Sequence, residues 1–205
     1  MSYGTLEEKE AGYKGTAAKL ITQYTKGAGF GMAPAITPGS LFTGRFEFQA
    51  VTDPKEQLKL TKFGISYTKK PLYFKGAFKY KAGDNFVDGS DKNDVKENTG
   101  DKDQCGIYAL LYEATNEKEE EVILDGNTIT NSEYRVAIAQ IKDGSDTEDK
   151  WVEFNEAFTY FEGKVYDSSK KYKMAIVCSS SKAGDSFKGA VNSTLFVDEL
   201  EIIGE

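Results

Sequence analysis

Leu72-Tyr73-Phe74-Lys75-Gly76-Ala77-Phe78-Lys79-Tyr80-Lys81-Ala82 alternates apolar and polar side chains with a period of two. Successive side chains of a strand point to opposite faces, so this run sends Leu72, Phe74, Phe78 and Tyr80 to a core and Lys75, Lys79 and Lys81 to water. The same rhythm recurs outward from it in both directions. Residues 16–24 alternate in this way, and residues 41–50 place Phe42, Phe46 and Phe48 on one face with Arg45 and Glu47 on the other. Further strands are expected over residues 106–113, 134–141, 152–161, 172–178 and 195–203. Helical spacing is weak everywhere, with a turn or two at most over residues 5–10. Eight or more strands with polar loops, no internal repeat and no linker predict one domain over residues 1–205. Its expected architecture is all-β, a two-sheet antiparallel β-sandwich.

The composition excludes several chemistries. Among 205 residues there is no His, so Ser-His-Asp and Cys-His mechanisms and His-ligated zinc are ruled out. Tyr and Phe number 12 and 13, which favours strands over disorder. The net charge of −7 argues against nucleic acid as a partner, because a phosphate backbone needs a basic face. One segment runs against that balance: residues 59–81 carry seven Lys and no acid. These lysines read either as solvated strand faces or as a steering patch for an anionic ligand. No apolar run is long enough for a transmembrane helix. The opening Met1-Ser2-Tyr3-Gly4 lacks the charged-then-apolar layout of a secretory signal.

Two cysteines, Cys105 and Cys178, are too few for a disulfide scaffold; they read as small buried thiols, or as one pair if adjacent strands bring them together. In the last strand, period two puts Asp198 on the face of Phe196, Leu200 and Ile202. A carboxylate among apolar neighbours needs a metal or backbone N–H donors, so Asp198 is the candidate ligand of one structural calcium, with satisfaction by a neighbouring loop as the alternative. Asp84 to Asp91 imitates a calcium loop, but Phe86 and Val95 stand where an EF-hand needs oxygens.

Sugar rings stack their C–H faces on aromatic platforms while polar side chains read hydroxyls. Trp151 opens a strand beside an acidic loop, which suits a rim position. Tyr108 and Tyr112 share a strand face, Tyr73 lies on the Lys75 and Lys79 face, and Arg135 begins a strand beside Tyr134. Each of these rings could equally be core. A glycosidase needs two carboxyls roughly 5–9.5 Å apart. Glu153 with Glu156, and Asp198 with Glu199, point to opposite faces on regular strands; cross-strand pairs such as Glu113 with Glu153 remain open.

Several segments, in order along nearly the whole chain, resemble the putative carbohydrate metabolism domain family of Bacteroidota. They are Lys62-Phe63-Gly64-Ile65-Ser66-Tyr67, Lys70-Pro71-Leu72, Lys75 to Gly83, Asp103 to Tyr112, Trp151-Val152-Glu153-Phe154 with Phe158 and Tyr160, Ser179 to Asp185, and Gly189 to Ile202 with its Ser193 to Glu199. The resemblance implies a jelly-roll sandwich similar to carbohydrate-binding modules, on an exported or surface-anchored lipoprotein of the cell envelope. The expected role is a monomeric, non-catalytic domain that binds an oligo- or polysaccharide; the alternative is a glycoside hydrolase using a carboxylate pair. The chain departs from that family pattern in its missing lipoprotein signal and in its long acidic insert at residues 84–103.

Overall fold

The computed structural model describes residues 7–26, 33–49 and 53–205. Two sheets face each other. The first has five strands, in the order β1 (Glu7–Ala11), β2 (Thr16–Ile21), β19 (Thr194–Gly204), β9 (Pro71–Lys81) and β15 (Val152–Ala157). The second runs β16 (Thr159–Tyr160), β14 (Arg135–Gln140), β12 (Gly106–Glu113), β17 (Tyr172–Ser179) and β5 (Ser40–Phe42), with β8 (Ile65–Tyr67) also on β17. Three small sheets complete the fold: β11 (Lys96–Glu97), β10 (Asn85–Asp88) and β18 (Lys188–Val191); β13 (Leu124–Asp125), β7 (Thr61–Phe63) and β6 (Gly44–Phe46); β3 (Gln23–Tyr24) and β4 (Ile36–Thr37). Every strand pair among the described residues is antiparallel. The all-β sandwich is as expected, though its winding is carried by many more strands than eight.

Leu20, Phe74, Phe78, Tyr80, Leu195 and Val197 of the first sheet meet Ile107, Ala109, Leu111, Val136, Met174 and Cys178 of the second in the main core. Phe74 and Phe154 pack edge to face at 5.0 Å, a geometry that adds about 1 kcal/mol to their burial. A second cluster lies on the far face of the six-stranded sheet, around Leu110, Tyr112, Leu124, Ala175 and Val177. Central strand β12 is therefore covered on both sides, which explains its nearly continuous apolar run Ile107-Tyr108-Ala109-Leu110-Leu111-Tyr112.

At one end of the sandwich the buried polar side chains converge. Asp103, 4% exposed, accepts from Ser181 Oγ at 2.6 Å, Ser193 Oγ at 2.7 Å and the Ala190 N–H at 2.7 Å, all on Oδ2, while its Oδ1 accepts the Gln104 N–H at 2.8 Å. Thr22 Oγ1 meets Ser180 Oγ at 2.7 Å and Ser181 Oγ at 2.6 Å. Thr22 follows β2, Ser193 precedes β19, and the two serines follow β17, so the network ties the two sheets together.

Three expectations are corrected, and one pair of alternatives is resolved. Residues 41–50 do not form one strand: β5 and β6 belong to different sheets, and Phe46 and Phe48 are 57% and 88% exposed; Ala50 lies outside the described residues. Gly44 sets that break, since its φ is +144° and a Cβ there would sit 2.1 Å from the Lys62 carbonyl oxygen. Residues 7–11 are strand, not helix, whereas Pro54–Leu58 forms a short helix that period two did not suggest; Thr5 and Leu6 lie outside the described residues. Cys105 and Cys178 are both buried, free thiols, the first of the two readings their sequence positions allow. Asp198 is not on the core face, because β19 carries a bulge: Asp198 pairs with Ala77 but Glu201 with Lys75. The extra residue flips the alternation, so Phe196 and Asp198 face outward while Leu200 and Ile202 pack on the core.

Candidate functional site

The outer face of the five-stranded sheet gathers aromatic rings and charged side chains in one row. Along β9 its residues are Tyr73, Lys75, Ala77, Lys79 and Lys81, the side opposite the buried Phe74, Phe78 and Tyr80. Register places Lys79 beside Phe196, and Phe196 beside Lys19. Trp151 stands just before β15, whose Val152 pairs with Phe78, so the indole closes this row. Trp151 meets Phe196 edge-on at 6.5 Å and Tyr13 at 6.0 Å with the rings tilted by 59°. The Lys79 ammonium lies 4.8 Å from the Phe196 centroid and 6.0 Å from that of Trp151.

Two polar pairs flank the indole. Lys79 Nζ binds Asp149 Oδ1 at 2.8 Å, and this contact holds the Asp149 carboxyl below its ordinary range. On the other side the Tyr13 hydroxyl donates to Glu153, which raises the phenol pKa, mainly through that hydrogen bond. Tyr13 is 45% exposed and belongs to the β1–β2 hairpin tip, residues 12–15. This tip folds back over the sheet as a strap. The Lys14 N–H donates to Asp198 Oδ2 at 2.9 Å, and Lys14 Nζ lies 3.5 Å from Glu199. Beneath it, Ala77 is outward-facing yet only 1% exposed, a small residue where a larger one would lift the strap. Beyond the strap, Tyr73 is 44% exposed, with Lys75 paired to Glu201 at 2.8 Å. Tyr73 and Lys79 stand six residues apart, roughly 20 Å along the strand. Past Lys81, a cleft of about 360 Å³ lined by Gly83, Asp84, Asn85, Val191 and Asn192 continues the face.

Of the residues singled out from sequence, Trp151, Tyr73 and Asp198 thus share one face. The structure does not bring Tyr108, Tyr112 and Arg135 to it. Their strands lie in the second sheet, about 10 Å away through the core. Tyr112 is fully buried, donates to the Phe63 carbonyl at 2.5 Å, and has its phenol pushed up to about 12 by burial. Tyr108 is half-buried against the second cluster, and burial raises its pKa too. Arg135 Nε donates to the Ser132 carbonyl at 3.0 Å, and the guanidinium sits 4.6 Å over Phe161. All three make their contacts on the side of the second sheet, apart from the face that carries Trp151. Tyr13 and Phe196 were missed. Tyr13 sits in a turn with no periodic signal, and Phe196 was assigned to the core by an alternation that the bulge reverses.

The acids are dispersed. Glu113 is in the second sheet, bound to Lys170 at 2.9 Å, so it cannot pair with Glu153 across a strand. Among the described residues, each carboxyl with a displaced pKa moves down: Asp88 to about 2, and Glu121, Asp143, Asp149 and Asp167 in the same direction. A general acid would need the opposite shift. Both Asp198 oxygens accept backbone N–H groups, from Lys14 at 2.9 Å and Glu199 at 2.9 Å, which is the loop-satisfied alternative. Among the described residues, no three Asp, Glu or Cys converge to hold a metal ion. The lysines of residues 59–81 are spread over several elements: Lys59, Lys70, Lys75 and Lys79 pair with Glu56, Glu205, Glu201 and Asp149.

A family model described as a putative carbohydrate metabolism domain matches residues 1–203. A crystal structure of a putative glycoside hydrolase from Bacteroides thetaiotaomicron is 39% identical with a TM-score of 0.82, over 95% of this chain and 55% of that one. A second, from Bacteroides vulgatus and described in the same words, is 33% identical with a TM-score of 0.79, over 96% of this chain and 76% of that one. The chain spans just over half the length of the first. No curated protein matches it.

Proposed function

The chain belongs to the putative carbohydrate metabolism domain family, and we propose that the outer face of its five-stranded sheet binds an oligo- or polysaccharide without acting on it. The observation that carries this reading is Trp151, a ring flanked by the Lys79–Asp149 and Tyr13–Glu153 pairs. An indole offers a flat apolar surface for the C–H face of a pyranose, and each pair offers a donor and an acceptor to vicinal hydroxyls. Phe196 stands edge-on to the indole and Tyr13 is tilted by 59°, so a single sugar chain fits better than a flat crystalline surface, which needs coplanar rings.

A glycan array followed by calorimetry tests the proposal. Trp151→Ala should weaken the strongest array hit at least ten-fold, about 1.4 kcal/mol. Silence across a broad polysaccharide set overturns the reading. Hydrolysis is the second reading, favoured by the description of the two solved relatives. On this face the acids that would serve it are Glu153 and Asp198, which lie either side of Ala77 with the Tyr13 strap seated over it. Reducing sugar released from a bound polysaccharide, and lost on Glu153→Gln, would establish it.

A further inference from the structure

We propose that Asp198 is a positioning residue for the binding face: it fixes the hairpin strap, and the strap sets Tyr13 as a wall against Trp151. The inference rests on the reading of this face as a binding site. Asp198 uses both oxygens on backbone amides, and its Oδ2 is the acceptor that turns the Lys14 N–H down onto the sheet. The fit is close, since a Cβ on Gly12 would come within 2.5 Å of the same oxygen. Gly15, at φ +82°, completes the tight tip. From that anchor the chain reaches across β19 and β9, so that Tyr13 arrives over Ala77 with its hydroxyl on Glu153 and its ring 6.0 Å from the indole. The bulge in β19 belongs to the same device, because it turns Asp198 outward where the strap can reach it.

Trp151 is the only tryptophan of the chain, so its emission reports the strap without any saccharide. The probe is acrylamide, a small neutral quencher, applied to the full chain. Tyr13→Ala uncovers one flank of the indole and should raise the quenching constant about two-fold. Asp198→Ala should do the same, and the double variant should go no further than Tyr13→Ala alone. Gly12→Ala, which crowds the anchor but leaves Asp198 in place, provides an independent displacement of the strap should Asp198→Ala fold poorly. Calcium and EDTA should leave the wild-type constant unchanged. Wild-type quenching in both Asp198→Ala and Gly12→Ala, additive effects in the double variant, or a response to calcium each overturn the proposal. Binding to the array is measured separately, so failure here leaves the saccharide reading standing.

Discussion

At the scale of single residues, the most constrained side chain is Asp103. Each of its oxygens accepts a backbone N–H, from Ala190 and from Gln104. Asp103→Asn therefore points an NH₂ at a backbone donor whichever way the amide turns, and one buried N–H loses its acceptor. We expect a loss of about 2–4 kcal/mol in urea unfolding, with the slope of the transition unchanged. The two buried thiols give a second expectation. Burial pushes Cys105 up to about 12 and raises Cys178 as well. A thiol whose folded pKa is raised contributes stability below its unfolded value, near 8.5, and that contribution is lost as pH climbs toward the folded value. Melting temperature should fall from about pH 9 upward, less steeply in Cys105→Ala, and a thiol reagent should label neither cysteine until denaturant is added. The need for a satisfied carboxylate was readable in the sequence, but it was assigned to Asp198. Asp103 sits in an acidic run and looks solvated there, because its serine donors come from residues 181 and 193, far away in the chain.

At the scale of elements, strands with both ends marked by turn residues were legible. Gly106–Glu113 is the predicted strand to the residue, and Pro71–Lys81 differs by one at each end. Alternation failed where a strand changes sheet or takes in an extra residue. The predicted strand over residues 152–161 is β15 in one sheet and β16 in the other, with Phe158 buried between them. Period two runs straight through such a crossing, since both segments bury alternate side chains. The acidic insert at residues 84–103 supplies a small sheet in which Asp88 of β10 meets Lys188 of β18 at 2.7 Å. Lys188 and Ser90 together hold the Asp88 carboxyl at about 2. A lowered carboxyl stabilises above its unfolded pKa, and that support goes as pH falls through the folded value. Amide exchange of Val87 and Gly189 should accelerate between about pH 4 and about pH 2, and Asp88→Asn should remove this dependence.

At the scale of the whole molecule, the five-stranded sheet carries an outward row of rings, and among the described residues no three Asp, Glu or Cys could hold a metal ion. A melting midpoint measured in calcium and again in EDTA should be the same; a rise with calcium would falsify our assignment of Asp198 to the strap. Reductant should also leave the midpoint unmoved, since both thiols are already free. Surface pairs such as Lys75–Glu201 and Lys70–Glu205 contribute little individually, so salt should change stability only slightly. That the molecule is a sandwich was legible because every strand shows its core side. The outer surface proposed to bind was only half legible, through Trp151 and Tyr73.

Strand β19 lies in the middle of the five-stranded sheet, between β2 near one end of this sequence and β9. A ribosome delivering the chain from its amino terminus must therefore release residues 194–204 before the β1–β2 hairpin is joined to β9 and Phe196 takes its place beside the indole. Until then that sheet stands as two separate parts, β1–β2 and β9–β15, and the aromatic face comes into being only when β19 joins them.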